Sequence, residues 1–317
     1  MKIILSGSLA IDQIMSFSGC FESLIQKDSL DKISISVLVD QLSSSEGGIA
    51  GNIAYSLALL GEKPILLASM GQEAQIYFHK LQKIGVDMDF VNRSLLPTAT
   101  FNVLTDQSGN QIGGFYEGAM KDAEKLSFAQ FSQNKENILA VISAHNPQAM
   151  ARQVEECATL GIKLFYDPSQ QIASLQAEDL RAGLEAASVI ILNEYEMSLL
   201  MQKTKLSKEQ IVHKVNLCII TLGKKGVQFF DKAAKYQEKE IQAVKLAKTV
   251  DPTGAGDAFR AGFLYAYARN WATSLAIELA CVVASFAVEN NGTQNHDLDW
   301  QKIKNRYKET YGKRLQN

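Results

Sequence analysis

The sequence predicts an α/β fold: a doubly wound, mostly parallel sheet flanked by helices, carrying a small β-sheet lid. Three observations lead there. Short apolar runs rich in β-branched residues alternate with longer helical patterns. No low-complexity segment, repeat or linker interrupts them. Two stretches break the alternation with period-two patterns of their own, so a second, smaller sheet is expected beside the first.

Residues 3–5, 65–68, 138–142, 162–166, 189–192 and 217–221 read as buried strands. Helical patterns fall between them, over 49–60, 74–84, 147–160, 194–201 and 208–215. Strands separated by helices imply right-handed crossovers and a parallel sheet. In such sheets, ligands bind beyond the carboxyl ends of the strands. Two Ala-rich patterns, 255–269 and 272–289, should pack tightly against the sheet. The chain is therefore expected to form one α/β unit over 1–317, with a lid formed by insertions at about 14–42 and 98–116. The first insertion carries the alternation Ile33, Ile35, Val37, Val39, and the second a hairpin turn at Gln107-Ser108-Gly109-Asn110.

Composition narrows the function. At 317 residues, 46% hydrophobic and 21% charged, the chain can bury a sizeable core. Its 32 basic and 34 acidic side chains give a net charge of −2, which offers no footprint for nucleic acid or an anionic membrane. Any phosphate must be held by local groups. Cys20, Cys157, Cys218 and Cys281 form no CxxC pair, and His79, His145, His213 and His296 show no metal-ligand spacing. The apolar run before Ser6 is three residues long, too short for a signal peptide or membrane helix. A cytoplasmic protein is expected.

The strongest local signal is Asp251-Pro252-Thr253-Gly254-Ala255-Gly256-Asp257-Ala258-Phe259-Arg260-Ala261-Gly262, where two glycines and an alanine open a long apolar helix. N–H groups at a helix start lack internal partners, and the macrodipole adds partial positive charge. Small residues let a phosphate approach that backbone, so Gly254, Ala255 and Gly256 read as an anion hole. Asp257, in the first turn, stands where it can take a proton from an attacking hydroxyl. A simple helix cap is the competing reading of Asp257. No GxxxxGK[ST] loop occurs, which excludes the ordinary P-loop.

The string from Asp251 to Leu264 resembles the C-terminal signature of the ribokinase-like (pfkB) carbohydrate and nucleoside kinases. The resemblance implies that Asp257 is the catalytic base and that 254–256 form the anion hole. It extends to four other segments. Asp12, in Gly7-Ser8-Leu9-Ala10-Ile11-Asp12, falls where the family binds substrate hydroxyls; a loop aspartate is the alternative. Gly47 and Gly48 resemble the N-terminal glycine pair, followed by Asn52 facing the sugar, although a tight helix entry also explains the glycines. Asn193 and Glu196 match an NxxE motif, whose Glu acts through water on nucleotide-bound Mg²⁺; helix-dipole stabilisation is the rival reading. Thr221, Gly223 and Gly226 resemble the nucleotide-binding turn. Asp251 and Thr253 resemble residues that help bind a monovalent cation such as K⁺ in some members, and Asp251 equally fits a structural turn.

The implied reaction transfers the γ-phosphoryl of ATP, with Mg²⁺, to a hydroxyl of a small molecule. Gln111, Phe115 and Tyr116 supply a polar group and aromatic faces suited to a purine, with no cation for a sugar phosphate beside them; lid packing is the alternative. Tyr166-Asp167-Pro168-Ser169-Gln170-Gln171 and Asp257-Ala258-Phe259-Arg260 look like prokaryotic adenosine and nucleoside kinases, and Ile49 stands where ribokinases usually carry Lys. The resemblance therefore points to the 5′-hydroxyl of adenosine. Ser43-Ser44-Ser45-Glu46, polar and acidic, departs from many relatives near substrate entry. A sugar kinase of the same family and a non-catalytic nucleoside or sugar sensor are the alternatives. Monomer and homodimer both remain open.

Overall fold

The computed structural model describes residues 1–25 and 34–315. Its strands are β1 (Lys2–Ser6), β2 (Ala10–Ser16), β3 (Gln41–Gly47), β4 (Ile65–Leu67), β5 (Ser69–Gly71), β6 (Asn92–Ser94), β7 (Ala99–Thr105), β8 (Gln111–Tyr116), β9 (Ile138–Ser143), β10 (Lys163–Asp167), β11 (Ala187–Asn193), β12 (Leu217–Thr221), β13 (Val227–Asp231) and β14 (Glu238–Ile241). The α-helices are α1 (Phe21–Leu24), α2 (Ile49–Leu59), α3 (Gln75–Lys83), α4 (Pro147–Leu160), α5 (Ala177–Ala186), α6 (Glu194–Thr204), α7 (Lys208–Lys214), α8 (Ala255–Ala268), α9 (Thr273–Ala287) and α10 (Trp300–Tyr311).

Eight strands form the main sheet in the order β14-β13-β12-β11-β10-β9-β1-β4. The run from β12 to β4 is parallel, and β13 and β14 extend it antiparallel. Every residue of β9 is buried, as a strand covered on both faces requires. Successive residues point to opposite layers. Leu139, Val141, Phe165 and Ile191 join the core beneath α2, α8 and α9, whereas Ala140, Ile142, Leu164 and Ile190 join the core beneath α4, α5 and α6. Asn146 caps α4 through Ala149 N–H with Pro147 in the first turn, and Ser207 and Gln210 close a capping box on α7. Among the described residues no helix is long and apolar enough to cross a membrane.

The smaller sheet has the order β3-β2-β7-β8. Here one expectation needs correction. Ile33 lies outside the described residues, and Ile35, Val37 and Val39 sit in a segment without regular structure that pairs with no strand among the described residues. The strand begins instead at Gln41 and runs through the polar Ser43-Ser44-Ser45, antiparallel to β2. Backbone pairing with a ready partner outweighs the β-propensity of the preceding valines. Asp12, read as a loop residue in one alternative, lies within β2.

Helices α8 and α9 meet at Gly262. A Cβ there would come within 2.9 Å of Ala280 Cα and 3.0 Å of Val283 Cβ, so the approach depends on the missing side chain. Gly262→Val should force the helices apart and destabilise the protein by about 1–3 kcal/mol in urea unfolding. An unchanged midpoint would refute this account of the contact.

Candidate active site

The first turns of α8 meet the carboxyl end of β10, whose last residue, Asp167, pairs with Arg260. Gly254 precedes α8 in a left-handed conformation (φ +79°), packed against Thr293. The Ala255 N–H returns to Pro252 O at 3.2 Å, while among the described residues the N–H groups of Gly256 and Asp257 have no hydrogen-bond partner. Of the expected trio Gly254, Ala255 and Gly256, the Ala255 amide is thus engaged within its own turn.

Asp257 stands in the first turn of α8, its Oδ2 accepting a 2.8 Å hydrogen bond from Asn52 Nδ2. Burial pushes its carboxyl up to about 6, against the lowering influence of the Arg260 guanidinium and the Asn52 bond; Asp167 and Glu196 add to the rise. Arg260, one turn further on, donates to Asp167 Oδ1 at 2.7 Å, and Ser143 Oγ donates to the other Asp167 oxygen at 3.1 Å. Burial alone would lower the Arg260 guanidinium, but Asp167, Glu196 and Asp257 hold it above its ordinary value. Its Nη1 lies beside Gly256, where a Cβ would come within 2.9 Å of it.

Asn52 reaches Asp257 from α2. That helix is entered through Gly48, whose φ is +87° and whose Cβ would fall 2.6 Å from Ser8 O. Gly47, the last residue of β3, leaves its open face to the Asp12 carboxylate, which burial raises above its usual range. The sequence expectation placed Asn52 toward a sugar. In the structure its amide is shared between Asp257 and Gln294, with Gln294 Nε2 donating to Asn52 Oδ1 at 3.0 Å.

At Gly256 opens a cavity of about 610 Å³, whose wall includes Thr221, Gly223, Gly226, Ala255, Gly256 and Phe259. Three residues predicted from the nucleotide-binding turn therefore meet the anion-hole segment in one space. Asn193 and Glu196 are not part of that wall. They form the capping box of α6, with Glu196 Oε2 accepting from Asn193 N–H at 2.8 Å and Oε1 from Ser169 Oγ at 3.3 Å. Burial raises the Glu196 carboxyl, Arg260 lowers it, and Asp167 raises it further. Asp251 accepts from Thr253 N–H at 2.9 Å and Gly292 N–H at 3.0 Å, the geometry of a turn residue. Burial opposes these bonds, yet they hold its carboxyl below the usual range.

The smaller sheet aligns Ser45, Asp12, Phe101 and Phe115 in one cross-strand row, so Phe115 shares a face with Asp12. Gln111 lies four residues from Phe115 along β8, roughly 13 Å away, bonded to Thr105 Oγ1. Of the two, Phe115 stands nearer the site. Asp167, Arg260, Tyr77 and Gln294 were missed as site residues. Arg260 carried a signal, being three residues after Asp257 and hence on the same helical face. Gln294 carried none, because its loop has no periodicity.

A family model described as pfkB family carbohydrate kinase matches residues 13–301. The structure of Burkholderia thailandensis nucleoside kinase in complex with inosine is similar at a TM-score of 0.85 and 31% identity, covering 98% of this chain and 99% of that one. A nucleoside kinase of Methanothermobacter thermautotrophicus is 28% identical over 306 residues, 92% of this chain and 94% of the relative. An Arabidopsis thaliana ribokinase complexed with ribose and ATP shares the fold, with a TM-score of 0.78, 18% identity and coverage of 97% and 98%. Signature, fold and matched length agree, and the chain belongs to the pfkB family of carbohydrate kinases.

Proposed function

We propose that the protein transfers the γ-phosphoryl of ATP to the 5′-hydroxyl of a purine nucleoside, adenosine foremost. The observation that carries this reading is the position of Asp257 and the Gly256 N–H. Asp257 bonds to Asn52, near the Asp12–Gly47 pair, and its neighbour Gly256 lines the cavity walled by Thr221, Gly223 and Gly226. A nucleoside by the Asp12–Gly47 pair and a triphosphate in the cavity would meet at the start of α8. Asp12 suits a ribose diol, since a carboxylate accepts two O–H bonds. The Phe101–Phe115 row on the same sheet face favours an acceptor with an aromatic base over a bare sugar. Inosine in the Burkholderia protein supports the purine class.

Asp257 Oδ2 is occupied by Asn52, which leaves Oδ1 for the acceptor hydroxyl. The hydroxyl proton passes to Asp257 as the acceptor oxygen bonds to the γ-phosphorus and the bond to the β-phosphate oxygen breaks, releasing ADP. The amides at the start of α8 and the Arg260 side chain beside Gly256 offset charge on the moving phosphoryl. Mg²⁺, when bound with ATP, neutralises the phosphate oxygens. Glu196, a buried carboxylate, would act on such a cation only through its water shell, the cation being held mainly by the nucleotide. Asp251 and Thr253 enter only as candidates for a monovalent cation, tested by assay with and without K⁺. The smaller sheet acts as a lid over the acceptor, excluding water from the phosphoryl.

ADP release with Mg·ATP should be strong with adenosine or inosine and weak with ribose, fructose or fructose 6-phosphate. Turnover confined to sugars would leave the chemistry standing and defeat the nucleoside assignment. Asp257→Asn should lower kcat about 10²- to 10⁴-fold at constant fold; full activity in that variant would remove Asp257 as base. The base must be ionised, and its carboxyl is raised to about 6. Hence kcat/KM should fall about tenfold per unit as pH drops below about 6. A profile flat down to pH 4, where an ordinary aspartate titrates, would contradict the buried environment described here.

A further inference from the structure

We infer that Gln294 is a positioning residue for this reaction: by donating to Asn52, it decides which end of the Asn52 amide meets Asp257. The inference rests on the proposed role of Asp257 and deepens it. Gln294 lies in the loop between α9 and α10, buried to 3% exposure, 242 residues from Asn52. Its Nε2 donates to Asn52 Oδ1 at 3.0 Å and to Tyr77 Oη at 2.7 Å. Tyr77 Oη donates in turn to the Gly47 carbonyl at 2.8 Å.

The direction of this chain follows from hydrogen counting. A carbonyl carries no hydrogen, so the single Tyr77 hydroxyl proton is committed to Gly47. Tyr77 Oη is then left as an acceptor, and the group facing it must be the NH₂ of Gln294. The second hydrogen of that NH₂ goes to Asn52, which must present its oxygen there. Its own NH₂ is thereby turned to the Asp257 carboxylate, where it donates at 2.8 Å. Reversing the Asn52 amide would set a carbonyl oxygen against the carboxylate. It would also cost Gln294 an acceptor.

Two further features fit. Among the described residues Gln294 Oε1 is buried without a partner, so the side chain holds this orientation despite an unsatisfied oxygen. Its loop is anchored at both sides of the site. Thr293 Oγ1 donates to Glu46 O at 3.1 Å, and the same residue packs against Gly254.

The test is a double-mutant cycle in the full chain, with adenosine and Mg·ATP. Gln294→Met keeps length and removes the donor; Gln294→Glu keeps shape and replaces the donor by an acceptor. Gln294→Met should lower kcat about tenfold, the effect of releasing the Asn52 amide from its hydrogen bond to the Asp257 carboxylate, with KM for Mg·ATP within about twofold. Gln294→Glu should lower kcat further. In an Asn52→Ala background, Gln294→Met should change kcat by less than about twofold, since its effect runs through Asn52. An equal loss in both backgrounds would overturn the inference, leaving Gln294 a packing residue, and so would an unchanged kcat in the single variants. Melting temperatures check folding; if the Met variant does not fold, the Glu variant carries the cycle under the same criteria. The parent reading fails separately, through full turnover by Asp257→Asn.

Discussion

The guanidinium of Arg260 and the carboxylate of Asp167 meet at 2.7 Å with almost no solvent on either side, 8% and 0% of their side chains being exposed. Neither charge is tolerable there alone. Removing one partner of such a pair typically costs about 3–5 kcal/mol, because the other is left buried and uncompensated. The pair ties the carboxyl end of β10 to α8 across 93 residues of sequence, and so fixes where that helix starts relative to the sheet. Everything at the site hangs from that start. Asp257 and Glu196 also feel the same cation, so one positive charge stands among three carboxylates. Burial, opposed by Arg260 and the Asn52 bond and aided by the neighbouring carboxylates, explains why Asp257 holds its proton to about 6 while Arg260 remains charged.

Parts of this arrangement were legible in the amino-acid sequence because they are local. The six parallel strands announce themselves as short apolar runs, since strands buried on both faces leave no room for polar alternation. The start of α8 is equally plain: Gly254 needs a positive φ, and Gly256 lies against Arg260, so neither position accepts an ordinary side chain at ease. By contrast, β3 is almost unreadable. Ser43-Ser44-Ser45 has no strand preference of its own and is extended because β2 offers it a partner, whereas the better strand former Val37-Leu38-Val39 has none among the described residues. The antiparallel β14 is hidden for a similar reason, since it is largely exposed and charged.

The site residues divide the same way. Asp257, Asp12 and the glycine pair sit in short strings whose spacing carries a mechanism. Asp167 with Arg260, and Gln294 with Tyr77 and Asn52, are pairings between distant segments. Nothing within a window of a few residues distinguishes Gln294 from any loop glutamine. Its place is set only once α9 and α10 have packed and the turn through Gly292 has been tied to Asp251. A sequence pattern shows what one element can offer. It does not show which offer another element takes up.

That difference matters for the chemistry proposed. A carboxylate with a pKa near 6 is far too weak to ionise an alcohol in advance, so the proton can move only as the oxygen–phosphorus bond forms. Base and anion hole must then be in register with each other, not merely present. Placing both in the first turn of α8 meets that demand covalently: the Gly256 and Asp257 amides and the Asp257 carboxylate lie within two consecutive residues. What the helix cannot set by itself is which carboxylate oxygen remains open. Asn52 decides this by occupying Oδ2. Its amide is aligned by a hydrogen-bonded chain anchored on the accepting Gly47 carbonyl, beside Asp12. The group that would bind the acceptor and the group that would take its proton are thus joined through one hydrogen-bonded path. A displacement at the root of the smaller sheet would be felt at the base.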